Sequence, residues 1–371
     1  MLRAMHSGDL PATEPSPQPD WPAVVLRATG LRRAFGGVRA VDGVDLTVRA
    51  GEIYGFLGVN GAGKTTAIRL LMGIIKPDAG TIELLGQTAR RTTIAQRQAI
   101  GYVSQEQTFY PWMTARRLGK FVGGLYPTWD TAEFERLLRV LEVPPERKVA
   151  QLSSGMKVKL ALALALAPRP ALLILDEPTA GLDPVARREF LEVIHRQARQ
   201  HQRTTFFSSH LIDEVERVAD HVGIIHDGRM KYEGSLETLR ASVRKVVLPI
   251  EASAAPPPCT ASLPEAEATS GNDTGFLTSA SATGPEVPGP CNETSPVALS
   301  SAFTPAPTRA DFQPPPEFEI LRDETRDGAR ALILRAPPAA WESFQPPDAE
   351  VQRLSLEDIF IALVGSASAA I

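Results

Sequence analysis

The spacing of apolar and polar positions divides this chain into a densely patterned middle and two stretches with almost no pattern. Val24 to Ala28 and Val44 to Val48 alternate or run apolar as strands do, and Ile53 to Leu57 is a short apolar run that stops at Gly58. Thr66 to Met72 has the helical period and ends at Gly73. Lys76 to Gly80 reads as a turn and Thr81 to Leu85 as a strand. From Thr114 to Ala167 the period is helical, with Phe134, Leu137, Leu138 and Leu141 on one face. Leu172 to Leu175 and Thr204 to Phe207 are buried strands in this reading, with a helix from Pro184 to Gln200 between them. Strands alternating with helices predict an α/β fold, a mostly parallel sheet covered on both faces.

Beyond Gly234 the pattern changes. Lys245 to Ile250 reads as a strand, Glu317 to Leu321 and Ala329 to Leu334 flank the hairpin signal Asp327-Gly328, and Val351 to Leu354 is a further strand. Ser355, three residues before Asp358, predicts a capping box opening a helix whose apolar face carries Leu356, Ile359, Phe360 and Leu363. These elements predict a small α+β domain over residues 244–371, following a principal domain at 23–243. Residues 1–22 and 252–316 are rich in Pro, Ala, Ser and Thr, with few large apolar side chains to offset their ordering entropy. Both are expected to be disordered, the second as an insert within the small domain. Closing a loop of ~60 residues costs about 3–4 kcal/mol beyond a constant, which a surface insertion tolerates.

Composition removes several classes of function. Of 371 residues, 39 are Lys or Arg and 43 are Asp or Glu, for a net charge of -4, which argues against a general nucleic-acid binder. Two cysteines, Cys259 and Cys291, form no disulfide framework and lack the spacing of a zinc site. No apolar run reaches the ~20 residues of a membrane span, and the N-terminal residues lack the apolar core of a signal peptide. A cytoplasmic chain is expected, and the glycosylation-like triplets at Asn272 and Asn292 are read as chance.

The chemistry concentrates in two motifs. Gly58-Val59-Asn60-Gly61-Ala62-Gly63-Lys64-Thr65 fits GxxxxGK[ST] in full between a strand and a helix. Its glycines let backbone N–H groups close around a phosphate, and the helix opening at Lys64-Thr65-Thr66 points its positive end at the anion. Lys64 is expected to reach the β- and γ-phosphates of a nucleotide, and the Thr65 hydroxyl to ligate Mg²⁺. Downstream, Leu172 to Leu175 runs into Asp176-Glu177, placing Asp176 to hold Mg²⁺ through water and Glu177 to face an attacking water.

With these two motifs in place, residues ~24–240 resemble the ATP-binding subunit of ABC transporters. Gln151-Leu152-Ser153-Ser154-Gly155-Met156 is similar to the family signature LSGGQ, keeping Ser153 and Gly155 but carrying Ser154 for a glycine and Met156 for glutamine. Gln105 matches the Q-loop, Thr179-Ala180-Gly181-Leu182-Asp183 the D-loop, and His210, after Phe207-Ser208-Ser209, the switch histidine. Phe35 falls where the family stacks an aromatic ring on adenine.

The resemblance implies a P-loop ATPase of ABC type, with a mostly parallel core sheet, an antiparallel N-terminal β subdomain and a helical subdomain. It further implies ATP and Mg²⁺ as ligands, Glu177, His210, Lys64 and Gln105 in catalysis, and Thr65, Gln105 and Asp176 around the metal. Phe35, Gly58, Asn60, Gly61, Ala62, Gly63, Thr66, Ser153, Gly155 and Asp183 would contact nucleotide, the last group across a head-to-tail pair of subunits. The partners implied are a second ATPase subunit and a separate membrane permease, which would hold the chain at the inner face of the membrane. The closing run Ser355 to Leu363, and Tyr126-Pro127-Thr128-Trp129-Asp130 with Leu152 to Lys157, are similar to bacterial export ATPases and favour export. The contrasting expectation is a soluble ABC ATPase of an assembly or repair complex. One P-loop and no sustained heptads set it apart from translation members with two cassettes and repair members with long coiled coils.

Overall fold

The computed structural model describes residues 22–88, 93–249, 312–326, 328–346 and 349–365. Residues 1–21, most of the expected insert, Cys259, Cys291, Asn272, Asn292 and Asp327 lie outside the described residues. The elements in chain order are β1 (Val24–Phe35), β2 (Val38–Arg49), β3 (Ile53–Leu57), α1 (Lys64–Leu71), β4 (Ala79–Leu84), β5 (Gln87–Thr88), α2 (Ile94–Gln98), β6 (Ile100–Val103), α3 (Ala115–Gly123), α4 (Thr131–Val140) and α5 (Ser154–Leu166). They continue as β7 (Leu172–Asp176), α6 (Pro184–His201), β8 (Thr204–Ser209), α7 (Ile212–Val218), β9 (His221–His226), β10 (Arg229–Ser235), α8 (Leu236–Ser242), β11 (Val243–Pro249), β12 (Glu319–Arg326), β13 (Ala329–Arg335), α9 (Ala340–Ser343), β14 (Glu350–Arg353) and α10 (Leu356–Gly365).

Three sheets result. The central one has the order β10-β9-β3-β8-β7-β6 and is parallel except for β10. Its central strands β3, β8 and β7 are buried on both faces, and the alternation sorts their side chains between two cores. Ile53, Leu57, Leu173, Leu175 and Phe207 face α5, α6 and α7. Tyr54, Phe56, Leu172, Ile174 and Phe206 face α1 and the antiparallel sheet β2-β1-β4-β5. Helix α5 reads SGMKVKLALALAL, apolar nearly all round, and is accordingly sunk between the central sheet and α3 and α4. At the α3–α4 crossing a Cβ on Gly119 would lie 2.1 Å from Phe134 Cε1, so only glycine lets the two helices approach this closely.

The hairpin β9–β10 was not among the elements expected from the pattern. Its turn is Asp227-Gly228, with φ of 49° and 73°, the conformation an Asp-Gly pair favours in a two-residue hairpin. Strand β6 and the short helices α2, α7 and α8 were likewise not foreseen. Both N-terminal strands run longer than expected, because β1 and β2 pair along their full length as an antiparallel ribbon.

The third sheet has the order β12-β13-β11-β14 and is antiparallel throughout. One face holds Val246, Leu248, Leu332 and Leu334 against Phe318, with Trp341 and Phe344 beside them. The Phe318 ring lies 4.9 Å from Trp341 and 4.3 Å from Phe344, and Trp341 Nε1 donates to the Ser242 carbonyl at 3.0 Å. Phe312 joins this cluster, and its carbonyl accepts from Arg330 Nη1 at 2.9 Å. The aromatic cluster supplies the burial that the proline-rich sequence alone did not signal. Ser355 Oγ accepts the Asp358 N–H at 3.1 Å and caps α10, which buries Leu356, Ile359 and Leu363 in the core shared with Val215 and Val218 of α7. No described helix is long and apolar enough to cross a membrane.

Phe318→Ala removes the centre of the aromatic cluster, a change that costs about 3–5 kcal/mol in a packed core. Hydrogen exchange should show protection lost in β11 to β14 and retained in β3, β7 and β8. Equal loss in both sheets would show that they unfold as one unit.

Candidate nucleotide site

A parallel sheet brings the C-terminal ends of its strands to one edge, and here β3, β7 and β8 deliver Gly58, Asp176-Glu177 and Ser208-Ser209-His210 side by side. The P-loop leaves β3 at Gly58, whose N–H donates to the Ser209 carbonyl at 3.3 Å. Val59, Asn60 and Gly61 are exposed. Gly63 caps α1 with φ 105°, and a Cβ there would lie 2.3 Å from the Ala40 carbonyl oxygen, so glycine is obligatory on both conformational and steric grounds. Helix α1 starts at Lys64, directing its first N–H groups toward the loop.

Lys64 is buried, and its ammonium is held by three oxygens: the Gly58 carbonyl at 2.7 Å, the Val59 carbonyl at 3.1 Å and Glu177 Oε1 at 2.9 Å. Glu177 has φ 45°, a left-handed backbone for a side chain with a Cβ, which costs of order 1–3 kcal/mol. Its N–H donates to Ser208 Oγ at 3.0 Å, and its Oε2 accepts from His210 Nδ1 at 3.1 Å. With Nδ1 donating to a carboxylate, Nε2 of His210 is the nitrogen left to face a ligand.

Asp176 Oδ1 accepts two hydroxyls, Ser208 Oγ at 3.0 Å and Thr65 Oγ1 at 3.2 Å. Burial raises the Asp176 carboxyl above its usual range, and the Ser208 and Thr65 hydroxyls draw it part of the way back, against the neighbouring Glu177 charge. The structure therefore brings Lys64, Thr65, Asp176, Glu177 and His210 into one connected cluster. Ser208 ties the two acidic residues together, a role not assigned from sequence; two serines ending an apolar strand were its only signal.

The remaining expected site residues lie elsewhere on the chain surface. Phe35 is 46% exposed at the end of β1, with the Arg33 guanidinium 4.7 Å from its ring centroid. Ser153 is exposed at the N-cap of α5, its Oγ accepting the Met156 N–H at 3.2 Å, and a Cβ on Gly155 would be 3.3 Å from Leu182. Asp183 caps α6 by accepting from Val185 and Ala186, and the Ala186 amide is the main cause that holds its carboxyl below the ordinary range. Gln105 is exposed in the loop after β6. Among the described residues, no hydrogen bond or ion pair joins Phe35, Gln105, Ser153, Gly155 or Asp183 to the Lys64–Glu177–His210 cluster.

Comparison with known proteins identifies the family. The family described as "ABC transporter" matches residues 41–180. The chain is 38% identical over 225 residues to the bacitracin transport ATP-binding protein of Bacillus licheniformis, covering 60% of this chain and 74% of the relative. It is 38% identical over 224 residues to the Nod factor export ATP-binding protein I of Burkholderia lata, covering 59% and 73%. A solved ATP-binding subunit of an ABC transporter superposes with a TM-score of 0.53 at 30% identity, covering 58% of this chain and 92% of that one. A dimeric bacterial ABC transporter cassette at 21% identity, TM-score 0.52, shares the fold over 57% of this chain and 98% of its own. With the P-loop sequence, the paired acids and His210 assembled at one sheet edge, the chain belongs to the ATP-binding proteins of ABC transporters and is an ATPase of that family.

Proposed function

We propose that this chain is the motor of an exporter: two ATPase subunits close head to tail on two ATP molecules and drive a separate membrane permease. The observation that carries this reading is the hydrogen-bonded cluster Lys64–Glu177–His210 beside an open P-loop. Ser153 and Asp183 are exposed and, among the described residues, make no hydrogen bond or ion pair with Lys64 or Glu177, as suits residues that complete a second subunit's site. Export is supported by relatives named for bacitracin transport, linearmycin resistance and Nod factor export. A cavity of about 400 Å³ between β6, α3 and α5, lined by Tyr102, Gln107, Phe109, Val122 and Leu164, is the surface we assign to the permease.

In the hydrolytic step Glu177 orients water and takes its proton. Each carboxylate oxygen has a second lone-pair direction beyond the one used by Lys64 or His210, so a water can be held without breaking the cluster. Phosphate oxygens compete with Glu177 for the Lys64 ammonium, which frees Glu177 Oε1 to hold the water. Nε2 of His210 faces the γ-phosphate side of the water, and Lys64 with the P-loop amides stabilises the transferring charge. Phe35 stacks on adenine, with Arg33 behind the ring.

The hard-oxygen pair Thr65 Oγ1 and Asp176 Oδ1 fits Mg²⁺, and a carboxylate raised by burial is one that gains from a cation. Among the described residues no cluster of three His, Cys, Asp or Glu could hold a metal, so such an ion depends on phosphate oxygens as well. When bound, it neutralises charge on the β- and γ-phosphates. We place Gln105 at the edge of that site, where its loop adjoins the proposed permease surface.

Glu177→Gln should bind ATP normally and hydrolyse it about 10²–10⁴-fold more slowly, some 3–5 kcal/mol of barrier. Held on that variant with Mg-ATP, detergent-solubilised host membranes should yield a multi-spanning partner. Recovery of soluble partners alone would instead indicate an assembly-type ATPase. Lys64→Ala should weaken ATP binding in equilibrium titration, and an unchanged Kd would remove Lys64 from the phosphate site.

Asp176→Asn separates stability from activity. Because burial raises the Asp176 pKa, its ionised form is disfavoured in the fold. The associated stability is present below the ordinary pKa of ~3.9 and is lost as pH rises through the raised value. At neutral pH the nucleotide-free Asn variant should therefore have a Tm equal to or above wild type while losing Mg-dependent hydrolysis. A fall in Tm would show that the carboxylate's hydrogen bonds outweigh the cost of burying it.

A further inference from the structure

Outside the residues assigned to phosphate and water, one buried carboxylate stands between two functional loops. Glu214 is 2% exposed in the first turn of α7. Its Oε2 accepts the Ser209 hydroxyl at 2.6 Å, and Ser209 Oγ in turn accepts the Leu211 N–H at 2.9 Å. The residue before His210 and the residue after it are thus held by the same side-chain pair. The Ser209 carbonyl also accepts the Gly58 N–H, so this turn is fastened to the P-loop as well. An acid at this position of a helix ordinarily reaches back to the N-cap amide; Glu214 reaches past Leu211 to the turn that carries the histidine.

The other oxygen faces Arg187 of α6. Arg187 Nε lies 3.3 Å from Glu214 Oε1, and Arg187 Nη2 donates to the Leu182 carbonyl at 3.4 Å. Leu182 immediately precedes Asp183, so polar contacts lead from Leu182 through Arg187 and the ion pair with Glu214 to Ser209, whose peptide bond continues to His210, and His210 in turn contacts Glu177. A carboxylate buried this deeply needs its charge matched, so displacing Arg187 with the D-loop must disturb Glu214 and the turn it holds. We propose that Glu214 is a positioning residue that couples the D-loop to the switch histidine, acting through Arg187 on one side and Ser209 on the other. The inference rests on the roles of His210 and Glu177 in hydrolysis given above.

The test uses the full chain with Mg-ATP, measuring kcat, KM, the equilibrium Kd for ATP and Tm. Glu214→Gln keeps an oxygen for Ser209 but presents an uncharged amide to Arg187. Arg187→Ala cuts the same link from a side chain that is 33% exposed and easier to remove without unfolding the core. Each should lower kcat about tenfold, equivalent to about 1.4 kcal/mol of barrier, with KM and Kd within about twofold of wild type. The double variant should be no slower than either single one, and Arg187→Lys should recover most of the rate. Wild-type kcat in both single variants, with His210→Ala inactive, would overturn the coupling alone. Full activity in His210→Ala would overturn the role of the histidine on which the coupling rests. A loss of kcat matched by a rise in KM and a fall in Tm, additive in the double variant, would assign the pair to general stability and overturn the positioning role.

Discussion

Lys64 is the constraint around which the site is organised. A lysine ammonium with almost no solvent access persists only where oxygens replace its water, and three do: two P-loop carbonyls and the Glu177 carboxylate. Meeting that need requires Gly58 and Val59 to turn their carbonyls inward, which in turn requires Gly63 at φ 105° to pass close beneath Ala40. It also requires the chain to leave β7 through the left-handed conformation of Glu177. Strain at Glu177 and the obligatory glycine are therefore two consequences of burying one charge next to a loop that must stay open to an anion.

The rest of the fold supplies the rigidity this arrangement needs. Side chains on β3 and β7 alternate between two cores, so the strand ends bearing Gly58 and Asp176 cannot shift without disturbing both layers at once. Ser208 and Ser209, the last residues of β8, then fix the acids and the histidine turn laterally. Position along the chain is irrelevant to this; residues separated by well over a hundred positions meet because parallel strands end together.

Much of this was legible before the structure. A P-loop is contiguous and its residue types are dictated by backbone geometry, so Gly58 to Thr65 declare themselves, as does an apolar strand ending in Asp176-Glu177. Contacts that depend on tertiary pairing were not readable in the same way. Ser208, Arg187 and Glu214 look like ordinary polar residues, and only the meeting of β7, β8, α6 and α7 gives them partners. The β9–β10 hairpin carried a local signal in Asp227-Gly228 that went unread because His226 and Arg229 interrupt the apolar pattern on either side. The packing of Phe312 against the third sheet was hidden for another reason. Its burial comes from Phe318, Trp341 and Phe344, which are spread along the chain among prolines, and it follows no short periodicity.

The C-terminal elements bear on the site through packing rather than chemistry. Helix α10 inserts Leu356, Ile359 and Leu363 into the same core as Val215 and Val218. Those two residues lie on α7, whose first turn holds Glu214 and, through Ser209, the turn of His210. The apolar side of α7 packs against both β3 and α10, and its polar side holds the turn of His210. A short helix clamped in this way has little freedom to tilt independently of either, because well-packed cores resist continuous deformation. Helix α10 is accordingly part of the packing that supports α7 and, through Glu214 and Ser209, the turn that carries His210.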